Sequence, residues 1–274
     1  MCKVLKVSRS GFYAWLNHSP SKLEIANKEL IHEIKEIHHR SRGTYGSPRI
    51  KEELDRRNFK VSRPRVARLM KKEGIRSKVK RRFVRTTDSK HSFQIAPNLL
   101  QRKFKVNSPG MVWVSDITYI KTKQGWLYLT VVIDLFDRRV IGWSLSSSMH
   151  ADTTTIAAFR MAVKNRKTKS SLIFHSDRGV QYACEQFKQL LNIKNIKQSM
   201  SRKGDCWDNA VAESFFKTIK TECTYHYQFE SKSQAARYIF EYIEVWYNRK
   251  RRHSALNYAT PLEMEIFFNN QLAA

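Results

Sequence analysis

Between Val112 and Leu145 the chain carries three apolar runs, rich in β-branched and aromatic residues, with almost nothing between them. The first holds Val112, Val114, Ile117 and Ile120. The second is Trp126 to Phe136, WLYLTVVIDLF, and the third Arg139 to Leu145. The links, Lys121 to Gly125 and then Asp137 with Arg138, are far too short for the crossover that parallel neighbours require. The three strands must therefore form an antiparallel meander. The pattern then alternates: helix Ala151 to Val163 with Thr155 and Phe159 inward, strand Ser171 to His175, helix Tyr182 to Leu191, strand Ile196 to Ser199. Two helices follow, Ala210 to Glu222 and Lys232 to Asn248. That order implies an α/β fold with a mixed five-stranded sheet flanked by helices.

The first third reads differently. Leu23, Ala26, Leu30, Ile34 and Ile37 recur at helical spacing, and Gly43 closes that helix. Ser47 reads as the cap of a second helix with Pro48 at its first position and Ile50 and Leu54 on its apolar side. After a link from Asn58 to Val61, Ser62 caps a third, with Val66, Leu69 and Met70 inward and Gly74 as its stop. Two short helices joined this closely resemble a helix-turn-helix. Ahead of them, SRSGFYAWL reads as a short helix capped by Ser10 that packs Phe12, Trp15 and Leu16.

Charge separates the same regions. The chain has 51 Lys and Arg against 24 Asp and Glu, a formal net charge of +27. Residues 1–102 account for +17 of it. A globular chain this basic points to a polyanion, and nucleic acid is favoured over an anionic membrane surface. Arg65, Arg68 and Lys72 share one face of the third helix, opposite its apolar stripe, where phosphates or base edges would be met. Arg76 to Lys90 is the densest basic stretch. No run of 18 apolar residues exists, so no transmembrane helix is expected. Cys2, Cys184, Cys206 and Cys223 form no CxxC pair and no zinc-ligand spacing, and read as free thiols of a cytoplasmic protein. The expected divisions are 1–75 helical and DNA-binding, 76–102 a basic linker, 103–225 a catalytic core, and 226–274 a helical extension.

In a chain short of acids, three carboxylates stand in apolar company. Asp116 lies within the first strand, MVWVSDITYI, where burial of a charge costs several kcal/mol, roughly, unless something compensates it. Asp177 follows a buried strand in FHSDRGVQY, at a strand's C-terminal end, where α/β folds hold reactive groups and where Asp also serves as a helix cap. Glu213 lies on the helix opening in GDCWDNAVAESFFKTIK, in line with Asn209, Lys217 and Lys220; an ion pair with Lys217 is its plainer reading. Hard divalent ions want such oxygen donors. Asp134, Asp137, Asp205 and Asp208 compete less well, Asp208 being a candidate helix cap. His175 reads as a packed strand-end residue, and Trp246 and Tyr247 as core. Arg249 to Arg252, with His253, read as a DNA-backbone-binding end of the last long helix.

With 35 residues between Asp177 and Glu213, and with the words WVSDITYI, HSDRGVQY and DNAVAESFFKTIK around the three acids, the chain resembles the DDE transposases of integrase-like bacterial insertion sequences. It resembles the second-reading-frame product, from HHRSRGTYGSPRI near the N-terminus to RRHSALNYATP near the C-terminus. The resemblance implies a ribonuclease H-like catalytic core. It implies two magnesium ions, replaceable by manganese: Asp116 and Asp177 would hold one, and Asp116 with Glu213 the second. These ions would activate water or a 3′-hydroxyl for in-line attack on a DNA phosphodiester, first freeing a 3′-end and then joining it. No Ser or Tyr nucleophile is used, which discounts Ser176 and Tyr182. Lys217 and Lys220 resemble DNA-end contacts, and Asn209 would orient Glu213 or touch DNA. Arg202 and Lys203, in the loop from Met200 to Cys206, join the candidate DNA contacts, and that loop is expected to order only on DNA and metal. Implied partners are double-stranded DNA, further copies of the chain, and a first-reading-frame protein or its frameshift fusion. The competing readings are a non-enzymatic helix-turn-helix regulator of the element and a nuclease of the same fold that cuts without joining.

Overall fold

The computed structural model describes residues 2–17, 19–79 and 94–273. Most of the dense basic stretch from Arg76 to Lys90 lies outside the described residues. The chain divides into two compact units, Met1–Lys78 and Val79–Ala274. Among the described residues no helix is long and apolar enough to cross a membrane.

The first unit holds four helices: α1 (Arg9–Leu16), α2 (Lys22–Arg40), α3 (Ser47–Arg56) and α4 (Arg63–Lys72). Ser21 and Glu24 form a reciprocal capping box at the start of α2. The small core is Leu30, Ile34, Ile37, Ile50, Leu54 and Val66. Gly43 and Gly74 follow α2 and α4 in the left-handed conformation, where a side chain would be strained. Three expectations are corrected. Ser8, not Ser10, caps α1, because its hydroxyl accepts from the Gly11 amide at 3.0 Å. Helix α1 buries no residue fully: Trp15 and Leu16 are exposed, Phe12 is half-buried against Tyr13 and Trp15, and Leu23 of α2 is exposed. Gly46 rather than Ser47 takes the cap position of α3, with Ser47 already helical.

The second unit is built on β1 (Val112–Thr122), β2 (Gly125–Asp134), β3 (Val140–Ser146), β4 (Ile173–Ser176) and β5 (Lys197–Met200), in the order β3-β2-β1-β4-β5. The meander is antiparallel, and β4 and β5 add in parallel. This is the expected mixed sheet. Strand β2 stops at Asp134, short of Phe136, because the Asp134 carboxylate turns back to accept from the Gly110 and Phe136 amides and the Trp113 indole. Arg166 bonds both Asp134 and Asp137, at 3.3 and 2.7 Å, so these two buried acids are structural.

On one face, α5 (Ala157–Asn165), entered through a π-helical turn at Asp152–Ile156, packs on β3. Gly142 permits the contact: a Cβ there would lie 2.2 Å from the Ala158 carbonyl oxygen. Trp113, Phe159, Phe174, Tyr182 and Phe187 fill the core beneath. The expected helix from Tyr182 to Leu191 is two pieces, α6 (Val180–Ala183) and α7 (Glu185–Ile193), broken by extended backbone at Cys184. Helix α8 (Ala210–Glu222) packs against β1. Helix α9 (Lys232–Phe240) widens into a π-helical stretch, Glu241–Tyr247, in place of one regular helix to Asn248. The chain ends in α10 (Pro261–Ala273).

Candidate active site

The sheet register brings the first two carboxylates together. Val112, Trp113 and Val114 of β1 pair in parallel with Ile173, Phe174 and His175 of β4. Continuing that register by two residues sets Asp116 beside Asp177, on chains spaced about 4.8 Å apart where paired. Asp177 lies one residue past β4, where its carboxylate accepts from the Gly179 amide at 2.9 Å. Asp116 accepts from the Ile117 amide at 2.8 Å. Glu213 occupies the first turn of α8, exposed, on the helix that lies against β1.

These groups feel one another. Burial pushes the Asp116 carboxyl well above the usual carboxylate range, and the charges of Asp177 and Glu213 push it further. Although Glu213 is exposed, partial desolvation by its neighbours raises its carboxyl, with the charge of Asp177 adding. Lys220, half-buried two turns along α8, is lowered by burial while Asp116 opposes the shift. The site thus concentrates anionic oxygen donors beside the Lys220 ammonium, an excess of negative charge that a hard divalent cation relieves. Among the described residues no group of three His, Cys, Asp or Glu side chains already stands in a metal-holding arrangement. The fit to a divalent ion is therefore one of donor chemistry and charge.

The surroundings are tied down by hydrogen bonds. The Tyr182 hydroxyl lies 2.7 Å from Ser115 Oγ, buried, with its pKa pushed well up. His175 is packed as expected, with Nδ1 2.8 Å from Ser199 Oγ and Nε2 3.2 Å from Ser201 Oγ, and burial lowers it to about 4. Arg178 donates to the Ser201 carbonyl.

Of the candidate DNA contacts, Lys217, Lys203, Arg68 and Lys72 are exposed. Arg65 is half-buried and donates to Asn27 Oδ1 at 2.8 and 3.2 Å, which ties it to α2. Arg202 bonds both oxygens of buried Asp208, at 2.9 and 3.0 Å. Asp208 also accepts from Asn98, Arg102 and the Arg202 amide, and these partners, Arg202 foremost, hold its carboxyl far below the usual range. The loop before α8 makes ion pairs at Arg202, Asp205 and Asp208. Asp208 does not cap α8. Asn209 is buried and donates to the Ser115 carbonyl at 3.0 Å.

The basic cluster near the C-terminus is corrected. Arg251 is buried and grips buried Glu222, with contacts of 2.8 to 3.1 Å; Arg252 bonds Glu263, and His253 is buried. Only Arg249 and Lys250 of the run are exposed. Trp246 and Tyr247 are core, as expected. Arg102, Asn98 and Glu222 carry no local signal of these roles, since the partners that define them lie 20 to 110 residues away.

The chain matches the Integrase core domain over residues 106–206, a second Integrase core domain over residues 194–261, and an HTH-like domain over residues 24–83. It is 43% identical over 261 residues to the "Insertion element IS600 uncharacterized 31 kDa protein" of Shigella sonnei, covering 95% of this chain and 96% of that protein. It is 38% identical over 278 residues to "Transposase InsF for insertion sequence IS3A" of Escherichia coli (strain K12), covering 100% of this chain and 94% of that protein. Among solved structures, the HTLV-2 integrase catalytic core domain in complex with magnesium is similar at 18% identity and a TM-score of 0.40, covering 57% of this chain and 94% of that one.

Proposed function

Because this chain belongs to the insertion-sequence transposases that carry an integrase core domain, we propose that Asp116, Asp177 and Glu213 are the carboxylates with which it cleaves and joins DNA strands. It is a DDE-type enzyme of DNA transposition. The observation that supports the triad is the register of β1 and β4, which carries Asp116 and Asp177 side by side, with Glu213 on the helix that lies against β1, in a chain of net charge +27.

Asp116 and Asp177 would hold one magnesium ion, and Asp116 with Glu213 a second. When bound, such ions activate the attacking oxygen and stabilise the leaving oxygen of a phosphodiester. The protein's own part is to fix the donors on a sheet and a helix. Tyr182 is held neutral against Ser115 and does not attack. Lys220 balances the negative charge of Asp116 and of a phosphate drawn to it, with Lys217 one turn nearer the helix start. Arg68 and Lys72 on α4 are proposed to meet DNA phosphates, and Lys203 lies on the exposed loop. Arg65 and Arg202 are partly engaged in the bonds described above, and Asn209, buried, would enter such a contact only by giving up its bond to Ser115. We propose further that double-stranded element ends and target DNA are the substrates, that several copies assemble on them, and that a first-reading-frame protein takes part. No finding favours the non-enzymatic regulator.

Labelled duplexes built from the DNA flanking the gene test this reading. Wild type with magnesium or manganese should release a 3′-end and join it to a second duplex, and Glu213→Gln should do neither. Equal products from both proteins would overturn the triad.

A further inference from the structure

We propose that Asn209 sets the separation of Asp116 and Glu213 by bonding the start of α8 to the backbone of β1. The inference rests on the triad reading above.

Asn209 occupies the cap position of α8 but does not cap the helix with its side chain. An Asn there ordinarily accepts from a first-turn amide. Here Nδ2 donates instead to the carbonyl of Ser115, at 3.0 Å, across 94 residues of sequence. Ser115 immediately precedes Asp116, and Asn209 stands one helical turn before Glu213. The parallel ladder between β1 and β4 runs to Val114 and His175, so Asn209 grips β1 just past the last paired residue. The contact therefore joins the two elements that carry Asp116 and Glu213, next to both.

Two further observations give it direction. Asn209 is only 3% exposed, and its Oδ1 is buried with no hydrogen-bond partner among the described residues. A buried amide oxygen left unpaired costs folding free energy, so stability alone does not account for an Asn at this position. Next to it, Asp208 faces elsewhere and is fastened to Asn98, Arg102 and Arg202. Two successive residues thus fix one point of the chain in two directions, and Glu213 inherits that position through a rigid helical turn. Groups that hold metal-binding side chains in place affect metal affinity about 10- to 100-fold, and a shift of about 1 Å at a reacting centre costs about 100-fold in rate. Asn209 is a positioning residue, not a catalytic one.

The test uses the full chain, with Mn²⁺ binding followed by electron paramagnetic resonance without DNA, and DNA cleavage kinetics alongside. Asn209→Ala should weaken Mn²⁺ binding about tenfold and lower kcat, leaving KM for DNA unchanged. Asn209→Ser, which keeps a hydrogen-bond donor but one carbon closer to the backbone, should lose less, and it carries the comparison if the alanine variant does not fold. A raised KM with unchanged Mn²⁺ binding would make Asn209 a DNA contact and overturn the proposal. No change in either quantity would also overturn it. Asp116→Asn is measured in parallel: if it binds Mn²⁺ as wild type does, the triad reading has failed and this inference falls with it.

Discussion

Arg251 sits in a run that reads as a DNA-binding patch, yet the fold buries it, and replacing it with Met separates the two roles. Its guanidinium makes three contacts with Glu222, at 2.8, 2.9 and 3.1 Å, and the Tyr242 hydroxyl donates to the same carboxylate at 2.9 Å. Arg251 is 5% and Glu222 6% exposed, so water cannot replace the lost partner. At an effective dielectric of about 20, two charges about 4 Å apart attract by about 4 kcal/mol. Removing one member of a buried pair typically costs about 3–5 kcal/mol, because the other charge stays behind unpaired. For a unit of this size that lowers Tm by roughly 10 °C. Urea unfolding, followed by the fluorescence of core tryptophans such as Trp113 and Trp246, gives the free energy directly. Pairing Arg251→Met with Glu222→Gln should restore much of the loss, because no unpaired charge remains. The salt dependence of DNA binding should not change. A loss below about 1 kcal/mol, or a shallower salt slope in folded Arg251→Met, would refute the reasoning and return Arg251 to the DNA surface.

Three other outcomes are expected. Gly142→Ala drives a methyl into the Ala158 carbonyl and the Ala162 amide of α5, so the second unit should lose about 1–3 kcal/mol or more, read by the same unfolding curves. His175 is held neutral in the fold, with its pKa lowered from 6.5 to about 4, so its contribution is intact above pH 6.5 and is lost as pH falls toward 4. That loss is about 3 kcal/mol, and the stability of His175→Gln, measured at pH 7.5 and 4.5, should fall less than that of wild type. Lys220→Met should weaken DNA binding and reduce the salt slope by about 1, as expected when one phosphate contact is removed. An unchanged slope would show that Lys220 faces Asp116 alone.

Much of the fold was legible because it is written locally. Short links between β-branched runs allow only a meander, and alternating helix and strand signals then add parallel neighbours. Helices α2 to α4 were read from periodicity and stop signals, and Asp116, Asp177 and Glu213 from the words around them. The errors share a cause. Ser8 and Ser10 are equally good caps in composition, and only the backbone decides which hydroxyl meets Gly11. The π-helical turns at Asp152–Ile156 and Glu241–Tyr247 leave no periodic mark that separates them from an α-helix.

The sequence by itself determined the order of the elements, because hydrophobic spacing and strand ends are properties of neighbours in the chain, and the words around Asp116, Asp177 and Glu213 singled them out as the proposed triad. Only the tertiary structure decided which polar groups act and which merely hold. Arg251 spends its charge on Glu222, Arg202 and Arg102 spend theirs on Asp208, and Asn209 reaches across to Ser115. An exposed arginine and a buried one are the same letter. Burial makes an unpaired charge too costly to leave, so each takes whichever partner the packing brings within about 3 Å.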